Sequence, residues 1–185
     1  MNLQDIISLC QAKNQQAEKA LFLRFAPRVM TICRRYASQN VEAQDFMQEC
    51  FIHVFEKINH FDASKGSFEG WLHRVCTNIV LQQLRKSKRE ITMVFPEELP
   101  EQELTESEFR TIPKEVILNA VQKLPDGYRK VLNLNIFEGW THQEIGSALE
   151  IAPATSRSQL ARAKKMLKHL LQKKTVQNYE TRLAR

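Results

Sequence analysis

The sequence predicts an all-α protein made of two small helical domains that are joined by an acidic linker. Glycine accounts for only five of 185 residues, apolar residues recur at every third or fourth position, and charge is distributed unevenly. The segment 90–115 contains eight glutamates and two basic residues, whereas the segment 156–174 contains seven basic residues and no acidic one. We therefore expect a first domain over 1–89, a linker over 90–112, a second domain over 113–174 and a polar, frayed tail over 175–185.

The first domain is expected to contain four helices. The first apolar pattern extends patchily from Leu3 to Phe25. Pro27 then breaks that helix or begins the next one, because proline suits the first turn of a helix and not its interior. The apolar period of three and four predicts the remaining helices over 29–36, 41–58 and 68–88.

The second domain ends in a pattern typical of a helix-turn-helix. Thr141 is suited to cap a short helix, a turn follows over 150–153, and a second helix is expected from Thr155 onward. In this motif the start of the second helix reads the major groove, so cations should collect there. The candidate contact residues are Arg157, Ser158, Gln159, Arg162, Lys164 and Lys165. The alternative is a basic helix that only keeps a helical bundle soluble.

Overall composition limits the function classes. The net charge of +6 favours a polyanionic partner, although a membrane surface or an acidic protein would also fit. No signal-peptide pattern precedes the first helix and no apolar run reaches the roughly 18 residues of a membrane span, which predicts a cytoplasmic protein. The four cysteines form no CxxC pair and fall on apolar stripes, so we expect reduced core residues.

The segment LPDGYRKVLNLNIFEGWTHQEIGSALEIAPATSRSQLARAKKML, residues 124–167, resembles region 4 of extracytoplasmic-function sigma factors. The resemblance extends to both domains and is closest to members from bacteria of the Bacteroidetes type. It implies a transcription factor that reads the −35 promoter element through Arg157, Ser158, Ala161 and Arg162. One departure is Gln159, where many members have arginine.

The segment DFMQECFIHVFEKI, residues 45–58, resembles the sigma region that docks on the clamp coiled coil of core RNA polymerase. The resemblance implies that Asp45, Gln48 and Glu49 contact the polymerase. Their spacing alone, three and four apart on a helix, would equally fit a solvated surface. Paired carboxylates can also be catalytic, but no nucleophile, metal-ligand set or glycine-rich loop accompanies them, so we expect no enzyme.

The stretch 61–89 combines a short polar loop, aromatic residues and a basic helix end, which suits a single nucleic-acid strand. Trp71 shares an apolar stripe with Val75, so we expect it in the core. The segment FDASKGSFEGWLHRVCTNIVLQQLRK, residues 61–86, resembles the module that captures a base flipped from the melted −10 element. The resemblance places Lys65, Ser67 and Phe68 in the loop region and Asn78 in the pocket wall. It also implies that Arg74 and Arg85 contact the backbone of the DNA strand.

Cys50 with His53 and His73 with Cys76 could in principle form a zinc site, but such helical spacing is common by chance, so we expect no metal, cofactor or small-molecule substrate.

The resemblance also implies an anti-sigma factor as a partner, one that could hold the chain at the inner membrane when it is not on the nucleoid with polymerase. The competing hypothesis is a self-sufficient helix-turn-helix repressor or activator.

Overall fold

A computed structural model describes the backbone of residues 1–86 and 112–183 and the side chains of residues 1–86 and 112–172. All regular secondary structure in these residues is helical, which confirms the predicted all-α class. The chain divides into two compact units, residues 1–89 and 90–185. The acidic linker expected over 90–112 lies outside the described residues except for Ile112.

The first unit contains four α-helices, whose bounds are α1 Leu3–Gln11, α2 Gln15–Tyr36, α3 Asn40–Lys57 and α4 Phe68–Lys86. The break in the first apolar stretch comes between α1 and α2. Lys13 has a left-handed backbone there, and the side chain of Asn14 accepts a hydrogen bond from the amide of Ala17 at 3.1 Å. Two short 3₁₀ turns, Ile58–His60 and Ala63–Lys65, connect α3 to α4.

The predicted helix boundary at Pro27 is wrong, because α2 continues through that residue. Pro27 lies on the exposed side of α2, while Phe25 and Val29 on either side of it are buried. The apolar residues before and after the proline thus pack into one core, and this packing outweighs the loss of one helical hydrogen bond. The hydroxyl of Thr31 donates a hydrogen bond to the Pro27 carbonyl at 2.9 Å, one turn further along.

The four cysteines are buried and unbridged, as expected. The Sγ atoms of Cys33 and Cys50 lie 4.0 Å apart, and the Cys50 Sγ is 3.6 Å from the Cys76 carbonyl oxygen. Burial, followed by the charge of Glu18, raises the pKa of Cys10 to about 11. These thiols therefore act as small apolar residues between the helices.

The second unit contains α5 Lys114–Gln122, α6 Asp126–Leu132, α7 His142–Leu149 and α8 Pro153–Leu183, and a π-helical segment, Asn133–Phe137, ends α6. Its least expected core residue is Arg129, which is only 2% exposed. The Arg129 guanidinium donates to the carbonyls of Gln122 and Leu124 at 2.8 and 2.9 Å and pairs with the carboxylate of Asp126. It therefore joins the end of α5 to α6.

Helix α8 is longer than the sequence predicts. Its apolar pattern ends near residue 171, yet the helix runs to Leu183, so the expected frayed tail from residue 175 is helical over most of its length. None of the described helices combines the length and the hydropathy that crossing a membrane requires.

Candidate nucleic-acid and polymerase interfaces

The helix-turn-helix formed by α7 and α8 depends on two local backbone features. Thr141 and Glu144 form a reciprocal cap: the Glu144 amide donates to the Thr141 hydroxyl at 3.3 Å, and the Glu144 carboxylate accepts from the Thr141 amide at 2.8 Å. The hydrogen bond from the Thr141 amide to the Glu144 carboxylate, followed by the one from the Thr141 hydroxyl at 2.8 Å, lowers the pKa of Glu144. At the other end of α7, a Cβ on Gly146 would lie 2.7 Å from the Ile151 carbonyl oxygen, so the turn requires glycine.

Helix α8 presents an exposed basic face. Its buried side consists, in the described residues, of Ser156, Gln159, Leu160, Ala163 and Leu171, and the Ser156 hydroxyl lies 2.9 Å from Nδ1 of His142 at the start of α7. This contact fixes the beginning of α8 against α7. The predicted contact residues that are exposed on the opposite side are Arg157, Ser158, Ala161, Arg162, Lys164 and Lys165.

The prediction of Gln159 as a DNA-contact residue is wrong, because the structure places its side chain inside the second unit. It is 3% exposed, and its amide atoms lie 3.4 and 3.5 Å from the position that a Cβ on Gly127 would occupy. The missing side chain of Gly127 leaves room for the glutamine between α6 and α8. The spacing of Ser156, Gln159 and Ala163, three and four apart, was the signal that could have assigned Gln159 to the buried face.

A pocket of about 230 Å³ opens on the first unit where the loop after α3 meets the start of α4. The loop is ordered by Asp62, whose carboxylate accepts from the amide and hydroxyl of Ser64 at 2.9 and 2.7 Å and pairs with Lys65 at 3.5 Å. The hydrogen bond from the Ser64 hydroxyl is the largest cause of the lowered pKa of Asp62. The residues lining the pocket include Phe61, Asp62, Lys65, Ser67, Trp71 and Arg74.

Phe68 and Trp71 occupy the reverse of the positions that the sequence predicts for them. Phe68 is buried, with its ring centroid 5.3 Å from that of Phe25 and 5.2 Å from that of Phe61, so it lies beneath the pocket and not in the loop. Trp71 is partly exposed and lines the pocket, in contact with both Phe61 and Phe68. The predictions of a core position for Trp71 and of a loop contact for Phe68 are both wrong, because Phe68 faces α2 at the point where α4 begins.

The remaining −10 candidates share the outer face of α4. Arg74, Asn78 and Arg85 are exposed and stand three, seven and fourteen residues after Trp71, which is close to whole helical turns. The pocket wall and these three side chains therefore form one continuous surface. Lys65 and Ser67 are exposed on the opposite rim of the pocket, and Gly66 between them has a φ of +144°, which favours glycine.

The exposed face of α3 carries the polymerase-binding candidates. Asp45 and Gln48 are exposed and Glu49 is half-buried, while Phe46 and Cys50 on the other side of the helix are buried. The same face contains two apolar residues that were missed in the sequence, Val41 and Ile52, which are 65% and 51% exposed. This mixture of polar and apolar side chains is suited to a protein partner.

The two cysteine–histidine pairs do not converge into a metal site. Nδ1 of His53 is 2.8 Å from the carboxylate of Glu56, and Nε2 of His73 is 3.2 Å from the guanidinium of Arg35. Both cysteines face the core instead. Across residues 1–86 and 112–172, no three histidine, cysteine or acidic side chains are grouped closely enough to hold a metal ion.

Each unit therefore carries one candidate nucleic-acid surface: the pocket beside Trp71 with its flanking cations in the first unit, and the exposed basic face of α8 in the second. The family model for sigma-70 region 2 matches residues 21–90, and the model for sigma-70 region 4 matches residues 114–167. The first match extends over most of the first unit, and the second match includes α7 and the start of α8.

Individual relatives agree with the family models. The ECF RNA polymerase sigma factor SigE of Mycolicibacterium smegmatis is 31% identical over an alignment of 162 residues; the match covers 83% of this chain and 61%, less than two thirds, of that protein. The ECF RNA polymerase sigma factor SigM of Bacillus subtilis is 30% identical over 130 residues, 69% of this chain and 78% of that protein. The chain therefore belongs to the extracytoplasmic-function family of RNA polymerase sigma factors. It is an alternative sigma factor that directs transcription initiation, not an enzyme.

Among solved structures, the sigma factor RpoE of Bartonella quintana, in complex with the anti-sigma factor NepR, is 21% identical. The match covers 83% of this chain and 96% of that one, with a TM-score of 0.47. The closer kinship with Bacteroidetes-type members stays a prediction.

Proposed function

We propose that the two units read the two promoter elements in different physical states. The first unit captures a base of the melted −10 element in the pocket beside Trp71, and the second unit reads the −35 element as duplex through the start of α8. The observation that carries this proposal is the open pocket with a partly exposed aromatic wall, flanked by the exposed cations Lys65 and Arg74. Such a site fits an unstacked base and its phosphates.

In the −10 complex, Trp71 supplies the face on which the base stacks, and Asn78, two turns further along α4, supplies polar groups to the adjacent part of the strand. Arg74 and Arg85 on the same face neutralise phosphates, while Lys65 and Ser67 close the opposite rim. A base that fails to fit leaves the cost of unstacking uncompensated, and this penalty gives the site its selectivity.

In the −35 complex, Arg157, Ser158, Ala161 and Arg162 face the major groove, and Lys164 and Lys165 neutralise phosphates. A bidentate arginine contact to guanine discriminates by roughly 1–3 kcal/mol, so the two arginines dominate the choice of sequence. Gln159 is left out of this set because it packs against Gly127.

Core polymerase binds the exposed face of α3 through Asp45, Gln48 and Glu49. The carboxylates give this face a negative charge that suits a basic helical partner such as the clamp coiled coil. From family membership we further propose an anti-sigma factor as a regulatory partner. We also propose a cytoplasmic site of action, on the nucleoid with polymerase or at the inner membrane when such a factor is membrane-bound.

Run-off transcription on a pool of genomic fragments tests the function as a whole. Purified bacterial core polymerase is used with and without this chain, and new start sites that share two upstream elements are expected. The absence of added start sites, or tight binding to a palindrome without polymerase, would overturn the proposal in favour of a self-sufficient repressor or activator.

Matched variants test the separate surfaces on a promoter obtained from that pool. The double substitution of Asp45→Ala with Gln48→Ala should weaken core binding at least tenfold, whereas Gln44→Ala, another exposed position of α3, should not. Asn78→Ala should impair opening of the −10 element, seen with permanganate, and Gln16→Ala, at an exposed position of α2 outside this surface, should have little effect. Equal defects in each pair would contradict the residue assignments.

A further inference from the structure

A second charged surface, on α2, belongs to none of the sites described above. From Lys19 to Val41 the chain contains five basic residues and no acidic one, a local charge of +5. This segment covers most of α2 and the turn that follows it. None of the proposed promoter contacts uses these cations.

The cations of this segment do not all lie on one side of the helix. Arg24, Arg28 and Arg35 are separated by four and seven residues, so they share one flank of α2. The guanidinium of Arg35 lies 3.2 Å from His73 of α4, which identifies this flank as the one beside α4. Lys19 is more than a quarter turn away from this row.

Aromatic contacts connect this flank to the base pocket. The guanidinium of Arg24 lies over the ring of Phe25, 5.9 Å from its centroid, and the Phe25 ring packs on Phe68 at 5.3 Å. Phe68 in turn contacts Trp71, the pocket wall, at 5.4 Å. Arg24 is therefore separated from the pocket by a rigid row of rings.

The two outer arginines are available to a ligand. Arg24 and Arg28 are exposed, and neither forms an ion pair within the described part of the chain. The first turn of α4 contributes one carboxylate, Glu69, which forms no ion pair with either arginine among the described residues. Keeping two like charges one turn apart without a counter-charge costs stability, which favours a role in binding an anion.

We infer that Arg24 and Arg28 form a phosphate track on α2 that holds the melted strand after it leaves the pocket beside Trp71. This inference rests on the proposed −10 function and extends the strand's path from α4 onto α2. The ligand is the backbone of single-stranded DNA, because exposed arginines without a shaped groove bind phosphates independently of sequence.

The salt dependence of binding tests this inference. Holoenzyme assembled from the full chain and bacterial core polymerase binds a promoter fragment with a single-stranded −10 strand, and affinity is measured at several salt concentrations. Loss of two single-strand phosphate contacts by Arg24→Ala with Arg28→Ala should reduce the slope of log K against log salt by about 1.4. The control, Lys19→Ala with Lys57→Ala, removes two exposed cations outside the track and should leave the slope unchanged.

The outcomes separate this inference from the proposed function. An unchanged slope in the arginine variant, with the unmodified chain still initiating transcription, would overturn the phosphate track and leave the −10 proposal standing. Weaker binding to core polymerase without DNA would also overturn it and would assign the arginines to an acidic polymerase surface. A reduced slope with normal core binding supports the track.

Discussion

The pocket of the first unit and the helix-turn-helix of the second unit are the two proposed DNA-binding surfaces, but they are held in shape by different interactions. The buried rings of Phe25 and Phe68 pack beneath the pocket, and Phe61 in the pocket lining contacts Phe68 edge to face, so side chains determine its form. The helix-turn-helix is shaped by backbone features, above all the close approach of Gly146 to the Ile151 carbonyl. A surface for an unstacked base needs an exposed ring, whereas a surface for a duplex needs a helix held at a fixed angle.

The largest effect is expected from a variant that removes the buried arginine joining α5 to α6 and so destabilises only the second unit. Arg129→Ala breaks a buried ion pair and leaves the carbonyls of Gln122 and Leu124 without their donor, which should lower the free energy of unfolding of that unit by about 3–5 kcal/mol. Chemical denaturation measures the loss of free energy of unfolding, and a separate assay measures the accompanying loss of binding to −35 duplex. The exposed control Lys123→Ala should be neutral, and core binding through α3 should survive in both.

A second variant tests the side-chain architecture of the pocket. Trp71→Ala should weaken capture of the melted −10 strand by about 1–3 kcal/mol, because stacking on an aromatic ring contributes that much per base. Trp71→Phe keeps an aromatic face and should retain more than half of this free energy. Holoenzyme binding to duplex −35 DNA should not change, so a parallel loss there would mean that Trp71 only supports the fold.

A third variant tests the backbone architecture of the helix-turn-helix. Gly146→Ala places a methyl group 2.7 Å from the Ile151 carbonyl oxygen, so the turn must shift, at a cost of about 1–3 kcal/mol. Duplex binding should fall while single-strand capture is retained. Ser147→Ala, at the next, exposed position of α7, is the control, and equal effects of the two substitutions would contradict the requirement for glycine.

The smallest effect is expected at Gln159. Its Oε1 atom is buried without a hydrogen-bond partner in the described structure, so Gln159→Met, of similar size, should change the stability of the second unit by less than about 1.5 kcal/mol. The preference among −35 sequences should stay the same, as measured by selection from a randomised duplex library. A changed consensus would show that Gln159 leaves its buried position and reads a base.

The same contrast explains which features the sequence could predict. The helix-turn-helix follows the helical period and an N-terminal cap, so Thr141, the turn and the exposed row from Arg157 to Lys165 were predictable. The exchange of Phe68 and Trp71 was not, because both are aromatic and only the packing of Phe68 on Phe25 decides which one is buried. Pro27 and Arg129 were missed for a similar reason: tertiary packing outweighs the local preference of each residue.

Two further features lay beyond local pattern. Gln159 is polar and belongs to a basic segment, but the space left by Gly127, 32 positions earlier in the chain, accommodates it. The row of Arg24 and Arg28 is visible in the sequence as charge, yet its relation to the pocket depends on contacts between α2 and α4. Roles that depend on neighbours distant in sequence require the structure.

The most direct test of the division between the two units measures both promoter elements on the same DNA. Holoenzyme is bound to a promoter from the run-off pool, and protection of the −35 duplex and permanganate reactivity of the −10 strand are recorded together. Three forms of the chain are compared: the unmodified chain, Trp71→Ala, and the double variant Arg157→Ala with Arg162→Ala. The proposed division predicts that the tryptophan variant loses reactivity at −10 and keeps protection at −35. The arginine variant should lose protection and, on a fragment already opened at −10, still hold the single strand. Loss of both signals in both variants would contradict separate reading by the two units.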